Sequence, residues 1–369
     1  RCHGTQVFLR VIVSRRDRTR AAVWSQAGHM KAIAFYLPQF HVIPENEAVY
    51  GPGFTEWDNV RNARPLFPGH RQPRVPHKML GYYSLENKRT LLLQHQLARD
   101  YGVSAFCYYY YNFGGRRLLE KPLDIICRTS AIENEFCLCW PHVSWCDNRR
   151  KERPVFLEQD YSEDAARLLA RDLLRYFKHS RYIRIEGKPF FLIFAPERHP
   201  NIVACTAILR EEAARAGLSL CLAGVEAYGP SAPQRWGLDF MVEFAPSWVP
   251  QSMLSAPGEQ PRRYDYQSTI RFMLSKPVPP YTRLRCVFPG WDNTPRRGEY
   301  GLACTGESPA LFRLALEAMS LYTRKVLPPS LHYVFINAWN EWGEGCCLEP
   351  DTHYGLRYLE AVRDVMGKA

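Results

Sequence analysis

The chain has 369 residues, 46% of them hydrophobic, and a formal net charge of +11 at pH 7. This length suits one barrel or two ordinary domains, and no apolar run reaches the roughly 18 residues that a membrane span requires. The twelve cysteines contain no Cys-x-x-Cys pair, so we expect neither a zinc site nor a disulfide framework. These features predict a soluble, cytoplasmic protein with reduced thiols and at most peripheral contact with a membrane.

Residues 1–29 differ from the rest of the chain in charge and patterning. They contain six arginines and one acidic residue, Asp17, and therefore carry +5 of the net charge. They show no helical or strand periodicity, whereas strand patterning begins directly after Met30. We predict that residues 1–29 are a disordered or non-native extension and that residues 30–369 form the folded domain.

From Met30 onwards, short runs of β-branched and aromatic residues alternate with helical patterns. The predicted strands are Lys31–Leu37, Val103–Tyr110, Phe136–Trp140, Pro189–Phe194, Leu218–Gly224, Asp239–Phe244, Leu284–Phe288 and Tyr333–Ala338. The predicted helices are Leu85–Tyr101, Leu119–Ala131, Ser162–His179, Val203–Ala216, Tyr266–Leu274, Ser308–Lys325 and Gly355–Met366. A helix within 225–238 has the weakest support because the segment is short and contains Pro230 and Pro233. This repeat predicts an α/β fold, a single (β/α)₈ barrel of the TIM type. Its longest non-helical insertion is predicted at Gly51–Tyr83, a length typical of functional loops.

In such barrels the active site lies at the carboxyl ends of the strands. The candidate substrate-binding residues at these ends are Gln39, His41, Tyr109, Tyr110, Trp140, His142, Trp145, Glu226, Glu243, Trp291 and Asp292. Aromatic rings cover the apolar face of a sugar, while carboxylates and amides bind its hydroxyl groups. This mixture indicates a glycan site.

Several of these residues have a plain structural interpretation. The tyrosines of 108–111 are also typical of strand packing, and His142 is typical of a hydrogen-bonded structural histidine. Glu226 and Glu243 could form ion pairs with arginines. The pair Glu341 and Glu344 is harder to explain structurally, because residues three apart on a turn lie about 5–6 Å from each other, close to the carboxylate separation of retaining glycosidases.

The chain lacks the motifs of several other enzyme classes. It contains no His-Glu-x-x-His, no Walker loop, no Asp-x-Asp and no Gly-x-Ser-x-Gly. We therefore expect no metal and no cofactor, and carboxylates are the best available catalysts.

Six segments carry a family resemblance: "AFYLPQFHVIPENE", "GFTEWDNV", "GYYSLENK", "FCYYYYNFGG", "FPGWDNTPRRG" and "INAWNEWGEGCCLEPD". They resemble the WbsX family, a glycoside hydrolase family 99-like domain, from about Met30 to the C-terminus. The resemblance implies a (β/α)₈ barrel that acts on glycans in the biosynthesis of bacterial lipopolysaccharide or O-antigen. The motifs add further candidate substrate-binding residues: Tyr36, Glu56, Trp57, Asn340 and Trp342.

The resemblance also implies catalytic roles. The Asn-Glu-Trp-x-Glu-Gly motif of family 99 endo-mannosidases falls on Asn340–Gly345. Glu341 would take a proton from a sugar 2-hydroxyl, so that this oxygen attacks C1 and forms a 1,2-anhydro sugar. Glu344 would be the general acid and later the base for the acceptor. One segment departs from the family, because relatives read Trp-Ala-Asn-Glu-Asn-Trp where this chain reads Trp-Pro-His-Val-Ser-Trp at 140–145.

Three functions remain open at this stage. The first is a retaining glycosidase or transglycosylase acting on an α-linked bacterial glycan, the second is a glycosyltransferase that uses an activated sugar, and the third is a glycan-binding protein with impaired catalysis. Two basic segments also predict an anionic or lipid-linked glycan, and no nucleic acid, as partner. Between Asp58 and Glu86 the chain carries five cationic and no acidic side chains, and 147–153 adds a net +2.

Overall fold

The computed structural model describes residues 30–246 and 248–367. Residues 1–29, for which we predict an extension, lie outside the described residues. Eight parallel strands form a closed barrel, in which each strand pairs with its neighbours in chain order and the last returns to the first. The strands are β1 Lys31–Tyr36, β2 Val103–Tyr109, β3 Glu135–Trp140, β4 Lys188–Phe194, β5 Cys221–Glu226, β6 Phe240–Glu243, β7 Arg283–Val287 and β8 Tyr333–Ile336. The predicted (β/α)₈ barrel is therefore confirmed.

Closure of the barrel is visible in the strand register. In the pairing of β1 with β8, Lys31 lies opposite Tyr333 and Ala34 opposite Ile336. On the other side of the barrel, β4 and β5 pair from Phe190–Cys221 to Phe194–Val225. All these pairs are parallel, so the carboxyl ends of the eight strands meet at one face.

Within the described residues, ten α-helices surround or cap this barrel. They are α1 Pro44–Tyr50, α2 Glu56–Asn62, α3 Lys88–Asp100, α4 Lys121–Arg128, α5 Glu163–Phe177, α6 Ile202–Arg215, α7 Tyr266–Ser275, α8 Thr294–Arg297, α9 Pro309–Val326 and α10 Arg357–Met366. The seven predicted helices are present. Ser162 caps α5, as its hydroxyl accepts a hydrogen bond from the backbone N–H of Ala165 at 3.2 Å. Between β5 and β6 the described structure has only the 3₁₀ turn Pro233–Trp236.

The predicted non-helical insertion at Gly51–Tyr83 needs correction, since it contains α2. The local reason is a capping arrangement in which the backbone N–H of Thr55 donates to Asp58 at 2.8 Å. Burial of Trp57 and Val60 then anchors the helix on the barrel. The insertion is thus an ordered part of the active-site face.

Short strand pairs complete the loops. They are Tyr111–Phe113 with Arg116–Leu118, Trp145–Cys146 with Val155–Leu157, Arg184–Ile185 with β4, Arg262–Asp265 with Leu302–Thr305, and Asn340–Glu341 with Cys346–Cys347. The ten helices described above include none that combines the length and apolar character needed to cross a bilayer.

Candidate active site

A tight turn at the end of β8 presents the glutamate pair. Glu341 pairs with Cys346 across a two-residue ladder, and Trp342–Glu344 forms a 3₁₀ turn between them. Residues i and i+3 lie above one another in such a turn, so Glu341 and Glu344 point the same way. The turn needs Gly343, because a Cβ there would collide with the carboxylate of Glu56.

One arginine, Arg296 at the end of α8, binds both glutamates. Its Nη2 donates to Oε2 of Glu341 at 2.9 Å, and its Nη1 donates to Oε1 of Glu344 at 2.7 Å. Its Nε donates to Oε1 of Glu56 at 2.6 Å. Three carboxylates from α2 and the β8 turn therefore converge on one guanidinium, which we call the Arg296 centre. Each carboxylate of the pair binds Arg296 through a single oxygen and retains its second oxygen for another partner.

The Arg296 centre carries more negative than positive charge and is largely shielded from solvent. The side chain of Glu341 is only 6% exposed, whereas that of Glu344 is 21% exposed. Burial raises the pKa of both carboxyl groups above the ordinary glutamate value, although the charge of Arg296 acts in the opposite direction. The centre therefore favours holding a proton near neutral pH, which acid–base chemistry requires.

A further buried carboxylate, that of Glu349, accepts hydrogen bonds that hold the turn in place. Its Oε2 accepts hydrogen bonds from Tyr83 and from the indole of Trp342, both at 2.7 Å. Its Oε1 accepts from Gln94 at 2.6 Å and from the indole of Trp339 at 3.0 Å. Burial raises the pKa of Glu349 to about 7, while these donors favour the ionised form. Glu349 thus fixes Trp342, which lies between the two catalytic candidates.

The glutamate pair opens into a cavity of about 760 Å³ at the carboxyl ends of the strands. Aromatic and apolar side chains form much of its wall: Tyr109, Tyr111, Val143, Phe194, Tyr228, Phe244, Trp248, Val249, Leu254 and Trp291. A side cavity of about 220 Å³ continues towards Gln39, Glu56 and Trp145. An outer cavity of about 640 Å³ lies on the other side of Arg296. Within 30–246 and 248–367, no group of three or more His, Cys, Asp and Glu side chains could hold a metal ion.

Seven of the predicted site residues line these connected cavities: Gln39, Glu56, Tyr109, Trp145, Trp291, Glu341 and Glu344. They come from five different loops, so only the closed barrel brings them together. Side chains alternate between the two faces of a strand, which places Tyr109 on the cavity side and its neighbour Tyr110 on the helix side. Accordingly, the hydroxyl of Tyr110 binds Asp172 of α5, and that of Tyr36 donates to Gln94 of α3 at 2.6 Å.

Trp140, His142 and His41 are also buried away from the cavities. Nε1 of Trp140 donates to the backbone oxygen of Asn112 at 3.3 Å, and Nε2 of His142 lies 3.1 Å from that of Ala195. His41 is buried as well, and burial lowers its pKa. These positions argue against direct contact of the three side chains with a substrate. In the same segment Val143 lines the cavity, at the position where the family resemblance expects a glutamate.

Glu226 and Glu243 are fully buried in ion pairs. Glu243 contacts Arg285 at 2.7 Å and Lys276 at 2.9 Å. Glu226 lies 3.4 Å from Arg283 and accepts a hydrogen bond from Tyr281 at 2.5 Å. The structural interpretation of these two glutamates therefore fits the geometry better than substrate binding.

The remaining predicted residues hold loops in place. Asp292 accepts hydrogen bonds from Gln72 and Thr294, both at 2.6 Å, and lies 2.7 Å from Nε2 of His70. The side chain of Asn340 clamps β8 to β1, since it accepts from the backbone N–H of Leu37 at 2.7 Å and donates to its oxygen at 2.9 Å. Trp57 packs on Trp342, with ring centroids 5.6 Å apart. These side chains position the site without facing the cavity.

The sequence interpretation missed Arg296, Tyr111 and Trp248 as site residues. Arg296 was present in the segment "FPGWDNTPRRG", and a conspicuous arginine pair after a predicted strand was an available signal. No comparable signal pointed to Trp248, which the loop after β6 brings to the cavity.

Fold and site together define a (β/α)₈ barrel with a cavity at the carboxyl ends of its strands, into which the glutamate pair opens. Residues 32–362 match the family described as Glycosyltransferase WbsX. The chain therefore belongs to the WbsX family, as the sequence motifs predicted. It is 38% identical over 348 residues to "Uncharacterized protein WxcX" from two strains of Xanthomonas campestris pv. campestris. That alignment covers 91% of this chain and 50% of the relatives, so the chain spans about half their length.

Two solved structures share the fold. The GH99 endo-alpha-mannosidase from Bacteroides thetaiotaomicron is similar with a TM-score of 0.58 and 16% sequence identity, covering 91% of this chain and 96% of that one. A glycoside hydrolase-like protein is similar with a TM-score of 0.60 and 15% identity, covering 92% and 94% of the two chains. The predicted family 99-like barrel is thus confirmed at the level of the fold.

Proposed function

We propose that this chain is a carbohydrate-active enzyme that cleaves or transfers an α-linked glycosyl group, with Glu341 and Glu344 as its catalytic pair. The observation that carries the proposal is the Arg296 centre, in which two carboxylates from one turn share a guanidinium at the wall of a large cavity. Arg296 holds both carboxylates in place, while the second oxygen of each is available to a sugar. Membership of the WbsX family supports the same class of activity.

The lining of the cavity supports a glycan substrate. Tyr109, Tyr111, Trp248 and Trp291 offer ring surfaces, and the glutamates offer acceptors for sugar hydroxyls. A volume of about 760 Å³ is ample for more than one sugar ring. The α linkage follows the endo-alpha-mannosidase with which the chain shares its fold.

In the proposed reaction, Glu341 accepts the proton of the sugar 2-hydroxyl, and this oxygen forms a bond to C1. The bond between C1 and the leaving oxygen breaks at the same time, and Glu344 gives its proton to that oxygen. Water or an acceptor hydroxyl then attacks C1 and releases its proton to Glu344, while the bond between C1 and O2 breaks and O2 recovers its proton from Glu341. Each glutamate returns to its starting protonation state.

Two other functions remain as alternatives. The family description favours a glycosyltransferase that uses an activated sugar. Val143, at the position where the resemblance expects a glutamate, favours a glycan-binding protein with impaired catalysis. Incubation of the chain with α-linked oligosaccharides, α-mannosides first, and separately with sugar nucleotides distinguishes these functions by which bond, if any, is broken.

The decisive experiment compares Glu344→Gln with Glu341→Gln on two kinds of glycoside. On an oligosaccharide, loss of the general acid or of the base should slow turnover by roughly 10²–10⁴-fold. On a 2,4-dinitrophenyl glycoside of the same sugar, Glu344→Gln should recover most of its rate, because this leaving group needs little protonation. Glu341→Gln should stay slow, because attack at C1 still lacks its base.

Glu133→Gln is a suitable control, since the side chain of Glu133 is 74% exposed and only pairs with Arg99 on the surface. Melting temperatures should show that all three variants fold. If both Glu341→Gln and Glu344→Gln keep wild-type turnover on the oligosaccharide, this catalytic assignment is wrong.

A further inference from the structure

Two arginines, Arg153 and Arg297, line the central cavity. Arg153 lies in the hairpin loop after β3 and lines the central and side cavities. Arg297 is the last residue of α8, directly after Arg296, and lines the central and outer cavities. Their loops meet above the cavity, where the ammonium group of Lys151 lies 5.9 Å from the ring centroid of Tyr300.

This arginine pair has no counter-charge within the described residues. No carboxylate of 30–246 or 248–367 lies within ion-pair distance of Arg153 or Arg297. Nε of Arg297 is buried without a hydrogen-bond partner, and Nε of Arg153 donates only to the neutral side chain of Asn148, at 3.0 Å. Burial, and after it the charge of Arg153, lowers the pKa of Arg297, as expected for two cations held close together.

Several other cations of the two basic segments have carboxylate partners. Arg71 and Arg74 both pair with Glu307, and Arg149 pairs with Asp147. Arg153 differs from these arginines, and together with Arg297 it places uncompensated positive charge beside the cavity. Adjacent guanidinium groups repel each other, and an oxyanion between them would remove that repulsion by forming charge-assisted hydrogen bonds.

We infer that Arg153 and Arg297 form a subsite for an oxyanion carried by the glycan, either a phosphate or diphosphate group or the carboxylate of an acidic sugar. The inference rests on the proposed function, because it places the oxyanion on the same ligand whose glycosidic bond lies at Glu341 and Glu344. The acid-rich Arg296 centre repels anions, so the charged group lies at the rim and not at the reacting carbon.

Direct binding tests the subsite without relying on turnover. Inorganic pyrophosphate and glucuronate are titrated separately into the wild-type chain, Arg153→Gln, Arg297→Gln and the double variant at low salt, with the heat of binding as readout. At least one of the two probes should bind the wild type. Each single substitution should weaken that binding by about tenfold or more, and the double variant should bind neither probe.

Arg128→Gln is the matched control, because Arg128 is the last residue of α4, at the opposite end of the barrel, and its side chain is 82% exposed. It should bind as the wild type does. Glu344→Gln removes a negative charge and should not weaken the binding, so a failure of the catalytic proposal and a failure of the subsite are distinguishable. Tighter binding of pyrophosphate identifies a phosphate-bearing glycan, and tighter binding of glucuronate an acidic sugar.

Folding does not obscure this result, because Arg153 is exposed and carries no ion pair in the described structure. The subsite is refuted if neither probe binds the wild type, or if Arg153→Gln and Arg297→Gln bind as tightly as the control.

Discussion

Two buried clusters at the carboxyl ends of the strands join carboxylates to cations in different proportions. Carboxylates are in the majority in the first cluster, and cations in the second. The Arg296 centre joins three carboxylates to one cation: Glu56, Glu341 and Glu344 with Arg296. The second cluster, beside β5, β6 and β7, joins two carboxylates to three cations: Glu226 and Glu243 with Lys276, Arg283 and Arg285. We call the second cluster the cationic cluster.

The pKa values of Glu243 and Glu341 are shifted in opposite directions. Burial alone would raise the pKa of Glu243, but the charges of Arg285 and Lys276 lower it to about 2. At the Arg296 centre, the single cation does not compensate for burial, and the pKa of Glu341 is raised. Two cations in direct contact therefore hold Glu243 in its ionised form. Glu226 has Arg283 alone, at 3.4 Å, and burial raises its pKa as it does at the Arg296 centre. Only the Arg296 centre therefore combines a titratable pair with access to the cavity.

The largest expected difference between the two clusters is in how a substitution changes the free energy of unfolding. Glu243→Gln leaves Arg285 and Lys276 buried without a counter-charge, and we expect a loss of about 3–5 kcal/mol in the free energy of unfolding. Glu341→Gln removes one of three crowded carboxylates, and we expect no loss. Urea denaturation of both variants measures the contrast. Equal destabilisation by the two substitutions would show that the Arg296 centre is also a structural ion-pair network.

A smaller effect is expected at Glu349, which holds Trp342 beneath the glutamate pair. Glu349→Gln replaces one acceptor oxygen by a donor, so two of the four buried donors lose their partner. We expect a loss of about 1–3 kcal/mol in the free energy of unfolding and a lower turnover number. The exposed Glu133→Gln should change neither quantity. Wild-type turnover in folded Glu349→Gln would show that catalysis does not depend on the hydrogen bonds that Glu349 accepts.

The smallest expected difference between the two clusters is in how their contribution to stability depends on pH. The pKa of Glu243 in the folded state lies below its ordinary value of 4.5, so its stabilising contribution is present above that pH and is lost as the pH falls towards about 2. The penalty of Glu243→Gln should therefore shrink on acidification. The pKa of Glu341 is raised, so the wild type loses stability as the pH rises above 4.5, and Glu341→Gln should gain relative to it.

The measurement is the unfolding free energy of each variant relative to the wild type, taken at intervals between about pH 3 and about pH 8. As the pH rises, this difference should become more negative for Glu243→Gln and more positive for Glu341→Gln. Parallel curves for the two variants would contradict the charge balance described for the two clusters.

Much of the fold was predictable because its signals are local. Tyr333–Ile336 is apolar throughout, and Val103–Tyr109 is interrupted only by Ser104, which is typical of strands buried on both faces. The helices between them have polar and apolar faces and, in the case of α5, a recognisable cap. The weak prediction at 225–238 also has a local cause, since the segment is short and contains two prolines, and the described structure has only a 3₁₀ turn there.

The candidate site also has one part that local sequence predicts and another that depends on the tertiary structure. Glu341 and Glu344 could be paired from the sequence by itself, because three residues of spacing on a turn bring two side chains together regardless of the rest of the chain. Their partner could not be found in this way. Arg296 lies 45 residues before Glu341 and 240 residues after Glu56, and only barrel closure and the packing of α2 against α8 bring the three together. The sequence suggested ion pairs for Glu226 and Glu243, but it could not identify the cations that Glu243 contacts, Arg285 and Lys276. Charge balance depends on which loops meet in space, and that is a property of the tertiary structure.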